Sequence, residues 1–343
     1  SYLESFMESA IEDSAWPGGV LLAAKGGNIF YHQGHGFHTY DRNKPIRSSD
    51  IFDLASITKA VATTSAIMKL VDQNKIKIDK PIVTYLPDFK GKKKKYKKQK
   101  SKITVKDLLA HSSGLPAFKQ YYRMKKSKEV LLDSVYNTEP VKLIGDTTIY
   151  SDVGAIMLGE LVEKVSDLSL NKFTDSLVFE PLGMTTTFFN PPKEKIHRIV
   201  PTEIDPNGNL IHGYVHDENA HSLGGVAGHA GLFSTAKDLA IFSQMMLNKG
   251  IYGWKRIFRQ NTVELFTTRA DMIPGSSRCL GWDSPSGASS GGVYLSDASF
   301  GHGGYTGTTL WIDPENEIIV ILLTNAVHPN RENKEPKYFD WRH

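Results

Sequence analysis

The stretch Ser56-Ile57-Thr58-Lys59 opens a predicted helix that runs from residue 56 to about 73. Positions i and i+3 share one face of a helix, so the Ser56 hydroxyl and the Lys59 ammonium are expected to meet. Serine is a weak nucleophile until a neighbouring base takes its proton. The start of a helix also offers partial positive charge and backbone N–H groups to an oxyanion. By itself the pattern is weak, because Ser-x-x-Lys occurs by chance in many helices.

A second segment with chemical potential is Tyr150-Ser151-Asp152, directly before a predicted helix over residues 153–165. A phenol close to an ammonium group can act as a base. The other interpretation of Tyr150 is an amphipathic side chain at the start of a helix.

A third segment is Gly301-His302-Gly303-Gly304-Tyr305-Thr306-Gly307, which leads into a predicted strand. Its glycines let the backbone approach a ligand closely. The strand edge would then supply a second oxyanion N–H and pair with an extended substrate. The plainer interpretation is a glycine-rich turn before an edge strand.

Strand-like patterns at both ends of the chain predict the fold class. Segments 20–24 and 28–37 flank Gly26-Gly27, a hairpin signal. Segments 308–312 and 317–324 flank a second turn of Asp, Pro, Glu and Asn. Helical spacing marks the remaining elements, at residues 3–13, 105–111, 170–179 and 235–247.

From these elements we predict an α+β fold with one domain over residues 1–343. Its antiparallel sheet is flanked by terminal helices and carries an inserted helical lobe. The sheet lobe takes residues 1–55 and about 250–343, and the mainly helical lobe takes about 56–249.

The three motifs in this order resemble the signature of the serine β-lactamase and penicillin-binding protein superfamily: Ser-x-x-Lys, Tyr-x-Asn, and Lys-Thr-Gly or His-x-Gly. The spacing of the motifs, with the helical lobe between them, resembles that of class C β-lactamases, D-alanyl-D-alanine carboxypeptidases and the related esterases. Shorter matches at residues 108–116, 181–184 and 231–239 extend the resemblance over nearly the whole chain.

The resemblance implies a role for each matching residue. Ser56 is the acylated nucleophile, and Lys59 takes or relays its proton. Tyr150 is the general base and later the acid toward the leaving group. The N–H groups of Ser56 and Tyr305 form the oxyanion hole. No cofactor or metal is implied.

The resemblance implies that Asp152, His302, Gly303 and Gly304 bind the substrate. Two of them, Asp152 and His302, depart from the family pattern. Asp152 replaces an asparagine, and an ionised carboxylate has no proton to donate to a substrate carbonyl. It would instead keep Lys59 protonated, which favours Tyr150 as the base. His302 replaces a lysine, and a neutral imidazole attracts a substrate carboxylate more weakly. Both changes favour an esterase or peptidase over a specialised β-lactamase.

Six His, Asp and Glu residues fall between His212 and His229. We interpret this glycine-rich region as a wall of the substrate pocket, with loop packing and a zinc site as the alternatives. His111 is interpreted as a structural histidine.

The net charge of +4 comes from one segment, because removing the nine lysines of residues 90–102 leaves −5. We interpret this run as a solvated loop, or otherwise as an anchor for an anionic envelope polymer. Nucleic acid is not an expected partner, since only Tyr96 is interleaved with the lysines. The single cysteine, Cys279, excludes an internal disulfide and is expected to be a buried bystander.

No run of about 18 uncharged apolar residues predicts a transmembrane segment. The first twelve residues lack the pattern of a signal peptide, but a removed signal leaves no trace. The resemblance implies an exported, extracytoplasmic enzyme, and a cytoplasmic location stays open. Relatives usually close with a long helix where this chain reads Phe339 to His343. Without that helix, one face of the sheet is expected to be exposed.

The predicted function is hydrolysis of an ester or a peptide-like amide through an acyl-enzyme, as in an esterase or a D-Ala-D-Ala carboxypeptidase. The substrate would be a small molecule or peptidoglycan-like. The alternatives are a β-lactamase and a penicillin- or peptidoglycan-binding protein with slow or no turnover. The oligomeric state is left open.

Overall fold

A five-stranded antiparallel sheet brings the two ends of the chain together in the computed structural model, which describes residues 1–91, 94–287, 289–334 and 336–342. Its strand order is β2-β1-β10-β9-β8. The predicted α+β class is confirmed. The strands of the described chain are β1 (Gly18–Lys25), β2 (Asn28–Gly36), β3 (Phe52–Asp53), β4 (Phe188–Phe189), β5 (Leu232–Ser234), β6 (Ile251–Tyr252), β7 (Lys255–Arg256), β8 (Phe300–Gly304), β9 (Thr308–Asp313) and β10 (Ile318–Thr324).

The first hairpin forms as predicted. Gly26 and Gly27 adopt φ values of 56° and 77°, and a two-residue hairpin turn of this kind needs positive φ at both positions. β1 is apolar along its length because it lies between β2 and β10 and is buried on both faces.

Twelve α-helices are described. They are α1 (Tyr2–Glu12), α2 (Ser65–Asp72), α3 (Lys94–Lys100), α4 (Val105–Leu109), α5 (Lys128–Tyr136), α6 (Asp152–Ser166), α7 (Leu170–Thr174), α8 (Glu180–Leu182), α9 (Glu218–Ser222), α10 (Ala236–Leu247), α11 (Gln260–Thr267) and α12 (Lys337–Trp341). Short 3₁₀ segments occur at Ile82–Thr84, Tyr121–Met124, Lys193–Arg198 and Arg331–Lys334.

Two of the predicted helices contain a π-helical segment. The helix expected from residue 56 is a π-helix over Lys59–Thr64 followed by α2, and α7 continues into a π-helix over Asp175–Phe179. The first π segment is buried throughout, and Thr63 Oγ1 donates to the carbonyl of Gly228 at 2.7 Å. A tertiary hydrogen bond therefore joins this segment to a distant part of the chain, and π segments are frequent at functional sites.

The sheet packs on both faces. One face meets the main core, where α10 packs against β1 and β10. The other face is covered by α1 and α12, so the expected exposure of that face is wrong for the described residues. Trp16 and Tyr338 are buried there, with ring centroids 6.1 Å apart. His343 lies outside the described residues.

We expected the lysine-rich run to be a solvated loop, but part of it is helical. Residues 94–100 form α3, while Lys92 and Lys93 lie outside the described residues. Lys100 is buried, and its ammonium donates to the carbonyls of Tyr136 and Thr138. Burial lowers the pKa of Lys100 to about 8. This one lysine is therefore structural.

Among the described residues, no helix combines the length and the apolar character needed to cross a bilayer. All strands of the five-stranded sheet come from residues 18–36 and 300–324. The division into lobes near residues 55 and 250 stays a prediction.

Candidate active site

The segment that carries Ser56 leaves the small sheet β3-β5-β4 through a strained turn. Ala55 adopts a left-handed φ of 46°, a conformation that costs a residue with a side chain roughly 1 kcal/mol or more. The Asp53 carboxylate accepts the N–H of Ala55 at 2.9 Å and so stabilises the turn. Ser56 follows immediately and is half-buried.

The buried ammonium of Lys59 joins three separate parts of the chain. It donates to Ser56 Oγ at 2.8 Å and to the carbonyl of His229 at 3.1 Å, and it lies 2.7 Å from Asp152 Oδ1. Burial lowers the pKa of Lys59, but Asp152 and Tyr150 outweigh burial and leave the pKa above its ordinary value. Lys59 is therefore a protonated hydrogen-bond donor and not a free base.

Tyr150 stands at the start of α6 among aromatic and cationic groups. Its ring centroid lies 4.8 Å from Lys59 Nζ, 4.9 Å from Arg278 Cζ and 4.7 Å from the His111 ring centroid. Its hydroxyl is buried, and a side-chain hydrogen bond with Lys59 helps to raise the pKa of that lysine. Two cations, Lys59 and Arg278, therefore lie against Tyr150.

His111 lies against Tyr150, and its structural role stays a prediction that one backbone contact supports. Its Nδ1 accepts the N–H of Ser151 at 3.1 Å, next to Tyr150. Burial, followed by the positive charges of Arg278 and Lys59, holds the pKa of His111 well below its ordinary value. The neutral ring can therefore accept this hydrogen bond.

The glycine-rich segment is part strand and part turn, because residues 305–307 form the turn that leads into β9. Residues 300–304 form β8, the edge strand of the sheet beside the Ser56 segment. A Cβ atom on Gly304 would overlap the carbonyl of Leu54 and the hydroxyl of Thr308. Glycine at this position therefore allows β8 to approach the nucleophile segment closely.

His302 lies on β8, buried and neutral. Its Nδ1 is 2.7 Å from the carbonyl of Gly303, and its ring centroid is 5.9 Å from that of Tyr150. Burial, together with Arg278 and Lys59, lowers the pKa of His302 to about 3. His302 accordingly adds no positive charge near neutral pH.

Tyr305 follows β8 and is held by a lysine that the sequence analysis missed. Lys334 is buried, donates to the carbonyl of Tyr305 at 3.0 Å, and lies 3.5 Å from the centroid of its ring. The ring of Tyr305 also stacks on that of His216, with centroids 6.0 Å apart.

Two cavities, each of about 340 Å³, meet at Ser56, Tyr150 and Tyr305. The first, the Arg278 cavity, is also lined by β8 and by cations from distant segments: Arg278, Lys334 and Arg342. The second, the Asp217 cavity, is lined by more acidic and imidazole groups: Asp152, His216, Asp217, Glu218 and His229, with Phe118 and Arg331.

The predicted pocket wall is only partly found. His216, Asp217, Glu218 and His229 line the Asp217 cavity, whereas the His212 ring binds the carbonyl of Ile199 instead. His229 Nε2 pairs with Asp217 at 2.7 Å, and His216 Nε2 pairs with Glu203 at 2.8 Å. Within the described chain, no three such side chains are arranged to hold a metal ion.

Arg278 is the main site residue that sequence reasoning missed. It follows no motif, and it reaches the site from the segment between α11 and β8. Its partner on the protein is Asp283, at 3.7 Å. In the sequence, Arg278 is one of the arginines that precede the glycine-rich motif, and nothing there distinguishes it from Arg269.

A sequence profile described as β-lactamase matches residues 3–343. The chain belongs to the β-lactamase family. It is a serine hydrolase of the β-lactamase and penicillin-binding protein type.

Individual relatives agree with this assignment. A Salmonella heidelberg protein with the provisional name D-alanyl-D-alanine carboxypeptidase is 34% identical over 95% of this chain and 82% of its own length. The fold is similar to that of EstCE1, a hydrolase with promiscuous acyltransferase activity, at a TM-score of 0.78, 21% identity, and coverage of 99% and 96% of the two chains. It is also similar to a class C β-lactamase from Rhodobacter sphaeroides, at a TM-score of 0.74, 18% identity, and coverage of 99% and 96%.

Gly304→Ala is expected to destabilise the fold by roughly 1–3 kcal/mol, because the added methyl group overpacks the contact with Leu54. It should also slow labelling of Ser56 by a fluorophosphonate, since β8 must move away. Gly303→Ala is the matched control, because its Cβ would meet Ser290 Oγ only at 3.4 Å. Equal thermal stability of the two variants would contradict the close approach.

The lowered pKa of His302 predicts a loss of stability in acid. The ordinary pKa of His302 is 6.5 and its value in the folded chain is about 3. Between these pH values, the unfolded chain therefore binds a proton that the folded chain does not bind. Stability should fall as pH drops below about 6.5. His302→Asn should make this fall shallower by up to about 1.4 kcal/mol per pH unit, measured by urea unfolding between pH 4 and 6. Identical slopes for wild type and variant would refute a neutral His302.

Proposed function

We propose that this chain hydrolyses a peptide-like substrate that ends in a free carboxylate, through an acyl-enzyme on Ser56, as a D-alanyl-D-alanine carboxypeptidase does. The Arg278 cavity is the observation that supports this best. It is lined by Ser56 and Tyr150 together with the cationic groups of Arg278, Lys334 and Arg342 and with one carboxylate, Asp283, and a guanidinium group pairs well with a carboxylate. The name of the relative that is 34% identical agrees with this choice.

In this proposal Tyr150 is the general base. Lys59 is protonated and holds Ser56 Oγ, so it has no vacant lone pair for the serine proton. The step requires the deprotonated oxygen of Tyr150, beside the positive charges of Lys59 and Arg278, and this oxygen takes the serine proton while Oγ bonds the carbonyl carbon. The resulting phenol then gives the proton to the leaving amine as the C–N bond breaks.

The backbone N–H groups of Ser56 and Tyr305 are proposed to stabilise the oxyanion. The close packing of Gly304 against Leu54 supports this, because it brings the end of β8 beside the Ser56 segment. Gly303, Gly304 and His302 would present the strand edge to an extended substrate.

Asp152 is proposed to work through Lys59. At 2.7 Å from Nζ, its carboxylate maintains the charge of the ammonium and has no proton to offer to a substrate carbonyl. Water then attacks the acyl carbon while the Tyr150 oxygen accepts its proton. That proton passes to Ser56 Oγ as the acyl C–Oγ bond breaks, which releases the carboxylic acid and regenerates Ser56.

A β-lactamase is the second candidate, because a penicillin also carries a carboxylate close to its scissile amide and suits the same cavity. An ester with an uncharged leaving group would make no use of the positive charges of Arg278, Lys334 and Arg342 in this cavity, so we rank an esterase lower. We also propose an extracytoplasmic location, where a peptidoglycan-like substrate is found, on the name of the same relatives.

Intact-protein mass spectrometry after addition of a penicillin is expected to show a covalent adduct on the wild type and none on Ser56→Ala. Release of D-alanine from a short D-Ala-D-Ala peptide should depend on the same residue. A slowly decaying adduct with D-alanine release would support a carboxypeptidase, and rapid turnover of the penicillin without D-alanine release would favour a β-lactamase. Equal labelling of Ser56→Ala would eliminate Ser56 as the nucleophile.

Arg278→Gln is expected to lower kcat/KM for the free-acid peptide by about 10- to 100-fold, because a hydrogen bond to a charged group is lost. The same peptide with a C-terminal amide should lose far less. Arg256→Gln in the exposed strand β7 is the control and should resemble the wild type. An equal loss on acid and amide would show that Arg278 does not recognise the carboxylate.

A further inference from the structure

Asp53 is a buried carboxylate that the mechanism above does not use. Its Oδ1 accepts the N–H of Ala55 at 2.9 Å, and its Oδ2 accepts the N–H of His216 at 2.7 Å. Its own carbonyl accepts the hydroxyl of Thr306 at 2.7 Å. The residue therefore connects the nucleophile turn, the wall of the Asp217 cavity and the segment after β8.

These contacts are expensive to maintain. Asp53 is almost fully buried, and burial raises the pKa of its carboxyl while the N–H groups of His216 and Ala55 act in the opposite direction. A buried carboxylate without an ion-pair partner is a poor way to stabilise a fold. Its placement is better explained by what it holds in position.

What it holds is the left-handed turn before Ser56. Ala55 is in a conformation that a residue with a side chain rarely adopts, and such strain persists only when the surroundings over-determine it. The carboxylate of Asp53 satisfies the one donor of this residue. Without it the turn can relax, and Ser56 Oγ would move relative to Lys59 and the strand edge.

His216 gives this arrangement a second anchor. Its ring is fixed by Glu203 at 2.8 Å, and Glu203 is held by Arg331 with distances of 2.7 to 3.1 Å. The backbone N–H that reaches Asp53 is therefore presented by a braced residue. The same ring stacks on Tyr305, so the turn and the end of β8 share this support.

We infer that Asp53 is a positioning residue that sets Ser56 for attack by holding the left-handed turn at Ala55 and joining it to His216. This inference rests on the proposed role of Ser56 as the nucleophile. It assigns Asp53 no contact with the substrate.

The test compares Asp53→Asn and Asp53→Ala with the wild type in the rate of Ser56 labelling by a small fluorophosphonate, followed by intact mass. Asp53→Ala should label about 100-fold more slowly, as expected for a displacement of the order of 1 Å. Asp53→Asn keeps one acceptor oxygen and should recover part of the rate. With a chromogenic thioester, kcat should fall while KM changes little.

Asp313 provides the matched control. It is equally buried and accepts several hydrogen bonds. It is the last residue of β9, at the opposite end of that strand from Thr308. Asp313→Asn should lower the melting temperature without changing the labelling rate. Thermal unfolding of every variant keeps loss of folding separate from loss of positioning.

The outcomes are distinct. Absence of labelling in the wild type would refute the proposed nucleophile, and this inference would fall with it. Normal labelling of a folded Asp53→Asn or Asp53→Ala would refute the inference alone. If Asp53→Ala does not fold, the isosteric Asp53→Asn decides. A rise in KM that accounts for the whole loss would also overturn the inference, because it would indicate a binding role.

Discussion

The buried ammonium group of Lys59 is the interaction on which the rest of the structure depends. Removing an ammonium from water costs several kcal/mol in a real protein. Three oxygens offset this cost here, from Ser56, Asp152 and the carbonyl of His229. Because each oxygen belongs to a different segment, loss of any partner leaves a buried charge poorly compensated. The contacts that stabilise the helical part of the fold therefore also fix the distances within the candidate site.

Those parts of the site that depend on local spacing could be predicted from the sequence. The i, i+3 relation placed the Ser56 hydroxyl near Lys59, and the two atoms lie 2.8 Å apart. The hairpin at Gly26 and Gly27 was equally local, because it depends on positive φ at two neighbouring residues. The winding after Lys59 was not predictable in this way. Its π-helix makes buried contacts such as that of Thr63 with Gly228, which no period in the sequence encodes.

Residues that reach the site from a distance were missed for the same reason. Arg278 and Lys334 belong to no motif and act only because folding brings their segments beside Tyr150 and Tyr305. Asp53 is adjacent to the motif, yet its partner His216 comes from a far segment. An aspartate before a helix is commonly a cap or turn residue, so the sequence offered no reason to select it.

The charge of the Arg278 cavity illustrates the limit of motif reasoning. From His302 in place of lysine, the sequence suggested weak attraction for a carboxylate. Burial keeps His302 neutral, with a pKa of about 3. His302 lines a cavity that Arg278 also lines, from another segment of the chain. A guanidinium group keeps its charge in proteins, and its positive charge is one of the causes of the neutrality of His302. In the proposed function, Arg278 therefore supplies from another segment the positive charge that His302 on the strand does not.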